Sequence, residues 1–129
     1  LGLGLTAGEV LRFYDELGPS VFSGSGIVKF IRKWIFAKYD PSPLRTALEK
    51  RLGDRRLGDS RKRLVIPSLN LETGEVHIFK TSHHPHLEID YKVSAVDVAL
   101  ATAAAPTYFP SHVLGAGVPL VDGGVWANN

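Results

Sequence analysis

Apolar residues recur at helical spacing early in the chain, where Val10, Leu11, Tyr14 and Leu17 fall near one face of a helix. Thr6-Ala-Gly-Glu9 supplies its start, because the Thr hydroxyl and the Glu carboxylate reciprocally satisfy free amides of a first turn. Gly18-Pro19 is the expected stop: a left-handed cap, then a residue that cannot continue the hydrogen-bond ladder. Ser23-Gly-Ser-Gly26 reads as a flexible joint. Residues 27–38 set Ile27, Phe30, Ile31, Trp34 and Ile35 against Lys29, Arg32 and Lys33, which predicts a second amphipathic helix that packs on the core or lies on a membrane. A third helix is predicted from Ser42 as cap and Pro43 at the first helical position, with Gly53 closing it after Leu44, Leu48 and Leu52.

Beyond a charged loop at 51–63 the period changes. Residues 64–69 read as a buried-type strand, Thr73-Gly74 turns the chain, and Val76 to Phe79 return as a partner strand. In that partner His77 alternates with Val76 and Ile78 and is expected to face solvent. Ser94 with Asp97 is another capping signature, and residues 96–105 are apolar nearly all round, so this helix should be buried. Pro106 ends it, and its alanines permit a close approach to a sheet. The final segment, Pro119-Leu-Val-Asp-Gly-Gly-Val-Trp-Ala-Asn128, is a short apolar strand that runs into an acid and two glycines. An aspartate delivered by a strand end onto a glycine turn is how an α/β domain presents a carboxylate at the edge of its sheet, where ligands bind. Asp122 is therefore the candidate for chemistry, with Gly123 and Gly124 as its turn.

Composition narrows the class without naming it. At 129 residues, 44% hydrophobic and 22% charged, the chain has the balance of one globular domain, with no internal repeat and no linker that would divide it. The absence of cysteine excludes disulfides, thiolate metal sites and a cysteine nucleophile. A net charge of +2 is too small to imply nucleic acid, though it would not repel an anionic membrane. No apolar stretch reaches the roughly 18 residues of a transmembrane helix, so a cytoplasmic protein with peripheral membrane contact is the expectation. The opening Leu1-Gly-Leu-Gly-Leu5, without an initiator methionine, reads as a cut, and the chain is taken as a fragment of a longer protein.

An aspartate base needs a nucleophile. The elbow Gly-x-Ser-x-Gly, which would lift a serine on a sharp strand-to-helix turn, occurs at none of the serines. Ser25 comes nearest, but Ser23 and Ile27 occupy the outer glycine positions. His83-His-Pro-His86 invites a metal, yet it has no cysteine and no acid before Glu88, so a polar loop is the better account and neither metal nor cofactor is expected. His112 lies ten residues before Asp122 and leaves a Ser-His-Asp triad open on spacing alone. Arg51, Arg55, Arg56, Arg61, Lys62 and Arg63 form a solvated loop or a contact for phosphate and anionic lipid.

Ala101-Thr-Ala-Ala-Ala-Pro-Thr-Tyr-Phe-Pro110, followed by Val121-Asp-Gly-Gly-Val125 and Ala127-Asn-Asn129, resembles the carboxyl-terminal signature of patatin-like phospholipases. Tyr14-Asp-Glu-Leu-Gly-Pro-Ser-Val-Phe22 and Tyr39-Asp-Pro41 resemble the family as well. The resemblance implies a three-layer α/β/α domain with mostly parallel central strands, incomplete at both ends, to which the 64–80 hairpin is added. It implies hydrolysis of phospholipid or other lipid acyl esters by a Ser–Asp dyad without histidine, and Asp122 matches the family's base. The serine elbow and the glycine-rich oxyanion loop have no counterpart here; Leu1-Gly-Leu-Gly-Leu5 is similar to the helix start that follows the elbow, so the isolated chain is expected to be inactive. The alternatives are a catalytically dead lipid- or protein-binding module on the same scaffold, and a toxin-like effector switched on by a second domain.

Overall fold

A computed structural model of the chain describes residues 2–22, 39–84 and 89–127. The Gly/Ser joint at 23–26, the amphipathic segment 27–38 and His86 lie outside the described residues.

Helix α1 (Ala7–Phe22) begins on its capping box: Glu9 Oε2 accepts from the Thr6 amide at 2.7 Å and from the Thr6 hydroxyl at 2.8 Å, while Thr6 Oγ1 accepts from the Glu9 amide at 3.3 Å. It does not stop at Gly18-Pro19. Pro19 lies inside the helix, and the chain stays helical long enough to bury Val21. An internal proline removes the bond to the carbonyl four residues earlier, but here that carbonyl belongs to Asp15, an exposed residue within reach of solvent. Helix α2 (Ser42–Leu52) also starts differently from the expectation. Ser42 is its first helical residue, and the capping side chain is Asp40, whose Oδ1 accepts from the Ser42 amide at 2.9 Å and hydroxyl at 2.8 Å. Gly53 closes it as expected, with φ 57 and its amide on the Glu49 carbonyl at 2.8 Å.

The mixed α/β class holds. Strands β1 (Val65–Asn70), β2 (Val76–Lys80), β3 (His112–Leu114) and β4 (Val118–Asp122) form one sheet in the order β2-β1-β4-β3. All three pairings are antiparallel, so the parallel strands expected of the parent do not occur among the described residues. The β1–β2 hairpin follows the apolar pattern. The β3–β4 hairpin was not expected, since β3 has only three residues and its turn rests on Gly115 and Gly117 at φ 51 and 106.

Helix α3 (Ala95–Ala103) covers one face of the sheet, capped by Ser94, whose Oγ accepts from the Val96 amide at 3.2 Å. Val98 and Ala101 of α3 meet Phe79 of β2, Leu120 of β4 and Leu57 in the buried core. That packing decides which way β2 faces. His77 is two residues from Phe79 and shares its side of the sheet, the two rings lying 4.4 Å apart. The expected solvent-facing His77 is thus corrected: it is half-buried on the core side, because the largest side chain of the strand claims the core for its parity. Among the described residues no helix is long and apolar enough to cross a membrane.

Candidate active site

Asp122 is the last residue of β4 and the cap of a single 3-10 turn, Gly123–Val125. Its Oδ1 accepts from the Gly124 amide at 2.7 Å, and its own amide donates to the Ala104 carbonyl at 3.0 Å. The second bond ties the strand end to the residue that ends α3. The amides of Trp126 and Ala127 both donate to the Gly123 carbonyl, at 3.1 and 2.9 Å, and close the turn on itself. One carboxylate oxygen is therefore committed to the turn, while Oδ2 has no protein donor among the described residues. A half-exposed carboxylate held at both backbone and side chain, with one oxygen free, can take a proton from a hydroxyl set beside it.

Gly123 is buried because the turn lies directly on β1. A Cβ there would meet the Pro67 carbonyl, its carbon at 2.6 Å, and Pro67 Cβ at 2.8 Å. The Pro67 oxygen is also held by Thr102 of α3, whose Oγ1 donates to it at 2.9 Å. Strand β1, helix α3 and the Asp122 turn thus meet at one carbonyl, and only glycine leaves room for that meeting. Gly124 is exposed and its amide serves the carboxylate.

The other candidates fall elsewhere. His112 stands opposite Leu120 rather than Asp122, and its Nε2 meets Asp97 Oδ1 of α3 at 3.1 Å, with Arg45 at 3.5 Å from the same oxygen. A Ser-His-Asp triad through His112 and Asp122 is not assembled. Burial holds the His112 pKa below its ordinary 6.5, an effect that Asp97 opposes and Arg45 reinforces. The unfolded chain then binds the proton more readily than the folded one. The stability contributed by neutral His112 is fully present above about pH 6.5 and is lost as pH falls through the lower folded value. Thermal unfolding of His112→Gln should accordingly lose less stability than the parent chain between about pH 7.5 and about pH 5; an unchanged pH dependence would refute this role.

The basic loop is partly structural. Arg55 Nη1 donates to the Leu3 carbonyl at 2.6 Å, and Arg51 reaches Glu16 of α1 at 3.3 Å and lies over the Phe13 ring. Arg56 lines an open depression of about 430 Å³ with Arg45 and Lys92, opposed by Glu49 and Asp54. This depression borders Ser94 and Val96 at the start of α3, whereas Asp122 lies at the helix's other end, so this hollow is not at the candidate base. No group of three metal-ligating side chains occurs among the described residues. Two of the segments that carry the family resemblance come together: the Tyr39 amide donates to the Tyr108 carbonyl at 2.7 Å, and their rings stack at 6.2 Å.

Sequence reading passed over Ser68 and Thr102. Ser68 lies directly opposite Asp122 and is fully buried. Each had a visible signal, a lone hydroxyl in an apolar strand and a lone hydroxyl in an alanine-rich helix.

The model of the patatin-like phospholipase family matches residues 1–129. Among curated relatives, a cGAMP-activated phospholipase of Pseudomonas aeruginosa is 38% identical over 99% of this chain and 40% of its own length. A cGAMP-activated phospholipase of Vibrio cholerae is 38% identical over 100% of this chain and 40% of its own length. Patatin-17 of Solanum cardiophyllum is 36% identical over 82% of this chain and 26% of its own length. The chain thus spans about two-fifths of the length of the first two of these relatives. With the family model covering every residue and the Asp-Gly-Gly turn built on β4, this chain belongs to the patatin-like phospholipase family.

Proposed function

We propose that these 129 residues supply the base of a Ser–Asp dyad in a lipid acyl hydrolase, the serine elbow and glycine-rich oxyanion loop lying in the rest of the protein. Asp122 takes the serine proton as the hydroxyl oxygen attacks the ester carbonyl, then gives it to the alkoxide, which departs as the alcohol and leaves an acyl-enzyme. Water then attacks the acyl carbonyl while losing a proton to the same carboxylate, and that proton passes to the serine oxygen as the fatty acid is released. The observation that carries this reading is a carboxylate fixed at the end of β4 in the family's Asp-Gly-Gly position, its Oδ2 without a donor among the described residues. Exposed Val125 and Trp126 give the turn an apolar flank suited to a lipid substrate met at a membrane surface, with the protein itself cytoplasmic.

The full reading frame that contains these residues should release fatty acid from phosphatidylcholine vesicles, and the 129-residue chain alone should release none. Hydrolysis by the isolated chain, abolished by Asp122→Ala, would mean that one of its own serines acts. Vesicle binding by the full protein without release would favour the catalytically dead binding module. A second reading adds regulation, since two relatives that match 99% and 100% of this chain at 38% identity are cGAMP-activated phospholipases. On that reading the same hydrolysis rises when cGAMP is added.

A further inference from the structure

Ser68 is the one fully buried hydroxyl in the middle of β1, and its Oγ has no hydrogen-bond partner among the described residues. A buried hydroxyl without a partner is destabilising, so a protein that keeps one needs it for something or supplies the partner from elsewhere. The sheet register names that partner. Ser68 pairs with Asp122 on one side and with His77 on the other. Directly opposed residues of adjacent strands put their side chains on the same face, with Cβ atoms roughly 4.5–5.5 Å apart.

Of the two neighbours, His77 has its ring packed against Phe79 and its Nε2 3.5 Å from Asp90 Oδ1, without a hydrogen bond among the described residues. Asp90 in turn accepts from the Lys80 amide through its other oxygen. Asp122 is the reverse case: Oδ1 is held by Gly124, and Oδ2 has no protein donor among the described residues. A donor without an acceptor and an acceptor without a donor thus stand opposite each other across one strand pair. Ser68 itself is no nucleophile, since no part of it reaches solvent.

We propose that Ser68 is a positioning residue for the base: its hydroxyl donates to Asp122 Oδ2 in the working enzyme and fixes the plane of the carboxylate. A carboxylate oxygen has two lone pairs, so this bond leaves one for the proton of the nucleophile. The turn alone holds the carboxylate through one oxygen, about which the group can still swing. The second bond removes that freedom, and small misplacements of a base are costly in rate. This inference rests on the reading of Asp122 as the base.

The test compares Ser68→Thr with Ser68→Val in the full-length protein, a pair equal in shape that differs only in the hydroxyl. Ser68→Val should have a kcat roughly tenfold below that of Ser68→Thr, the size of one hydrogen bond to a charged group, with KM for a soluble short-chain ester unchanged. A merely structural hydroxyl would separate the two variants in thermal stability and leave their kcat values equal, which would overturn the proposal. If the added methyl prevents folding of either, Ser68→Ala against the parent protein decides: a lower kcat at constant KM supports the role, and an unchanged kcat overturns it. Asp122→Asn is measured alongside. If it stays active, the base reading fails and this one with it; if it is dead while the Ser68 variants match one another, only the Ser68 role fails.

Discussion

Asp122→Asn should lower kcat for ester hydrolysis by the full-length protein roughly 10³-fold, within the range that positioned general bases supply, while leaving the fold intact. The separation of the two effects comes from the turn. Asparagine keeps an oxygen that can accept from the Gly124 amide, the contact that makes Asp122 the cap of its 3-10 turn. The Asp122 amide still donates to Ala104, and the strand pairing with β1 is untouched, because these are backbone bonds. What asparagine lacks is a charged oxygen able to hold the nucleophile's proton. Fatty-acid release and thermal unfolding, measured on the same preparation, test both halves. Activity within about tenfold of the parent protein would be too much for an enzyme that had lost its base. A large fall in melting temperature would instead make Asp122 a structural cap, with loss of activity as a by-product.

The Asp-Gly-Gly turn was legible in the sequence because every element of its presentation is local. Four apolar residues precede the acid in β4, two glycines follow it, and the turn closes within five residues. The capping box of α1 and the cap of α3 were legible for the same reason, each being written in residues three or fewer apart. The start of α2 was misplaced locally, its capping side chain being Asp40, whereas the other misreadings depended on packing that no segment shows alone. Pro19 stops a helix considered alone, but α1 runs past it and Val21 beyond it is buried. His77 looked solvent-facing because its neighbours are apolar, and only the commitment of Phe79 to the core reverses the parity of the strand. Strand β3 is too short for a periodic signal and exists because β4 offers it an edge. Ser68 gained meaning only once the register set it beside Asp122, 54 positions on.

Gly123→Ala should be the most destabilising single substitution in the turn, costing about 3 kcal/mol, the upper end of ordinary overpacking. A methyl group at 123 does not meet a side chain that can rotate away. It meets the carbonyl and Cβ of Pro67, a backbone segment inside β1, with the carbonyl carbon at 2.6 Å. Pro67 cannot retreat cheaply, because β1 is paired with β2 on one side and β4 on the other, and its carbonyl is also held by Thr102. The strain has to be relieved by lifting the turn from the sheet, which carries the carboxylate of Asp122 with it. Gly124→Ala is the matched control. Its Cβ would meet the Asp122 carboxyl group, with Oδ1 nearest at 3.2 Å, from an exposed position, so about 1 kcal/mol or less is expected. In the full-length protein Gly123→Ala should lower Tm by roughly 10 °C and Gly124→Ala by no more than about 3 °C. Activity of Gly123→Ala should fall with the displaced base even below its transition, where the protein remains folded. Equal melting temperatures for the two variants would mean that the turn does not lie on Pro67, and the close approach that positions Asp122 would have to be given up.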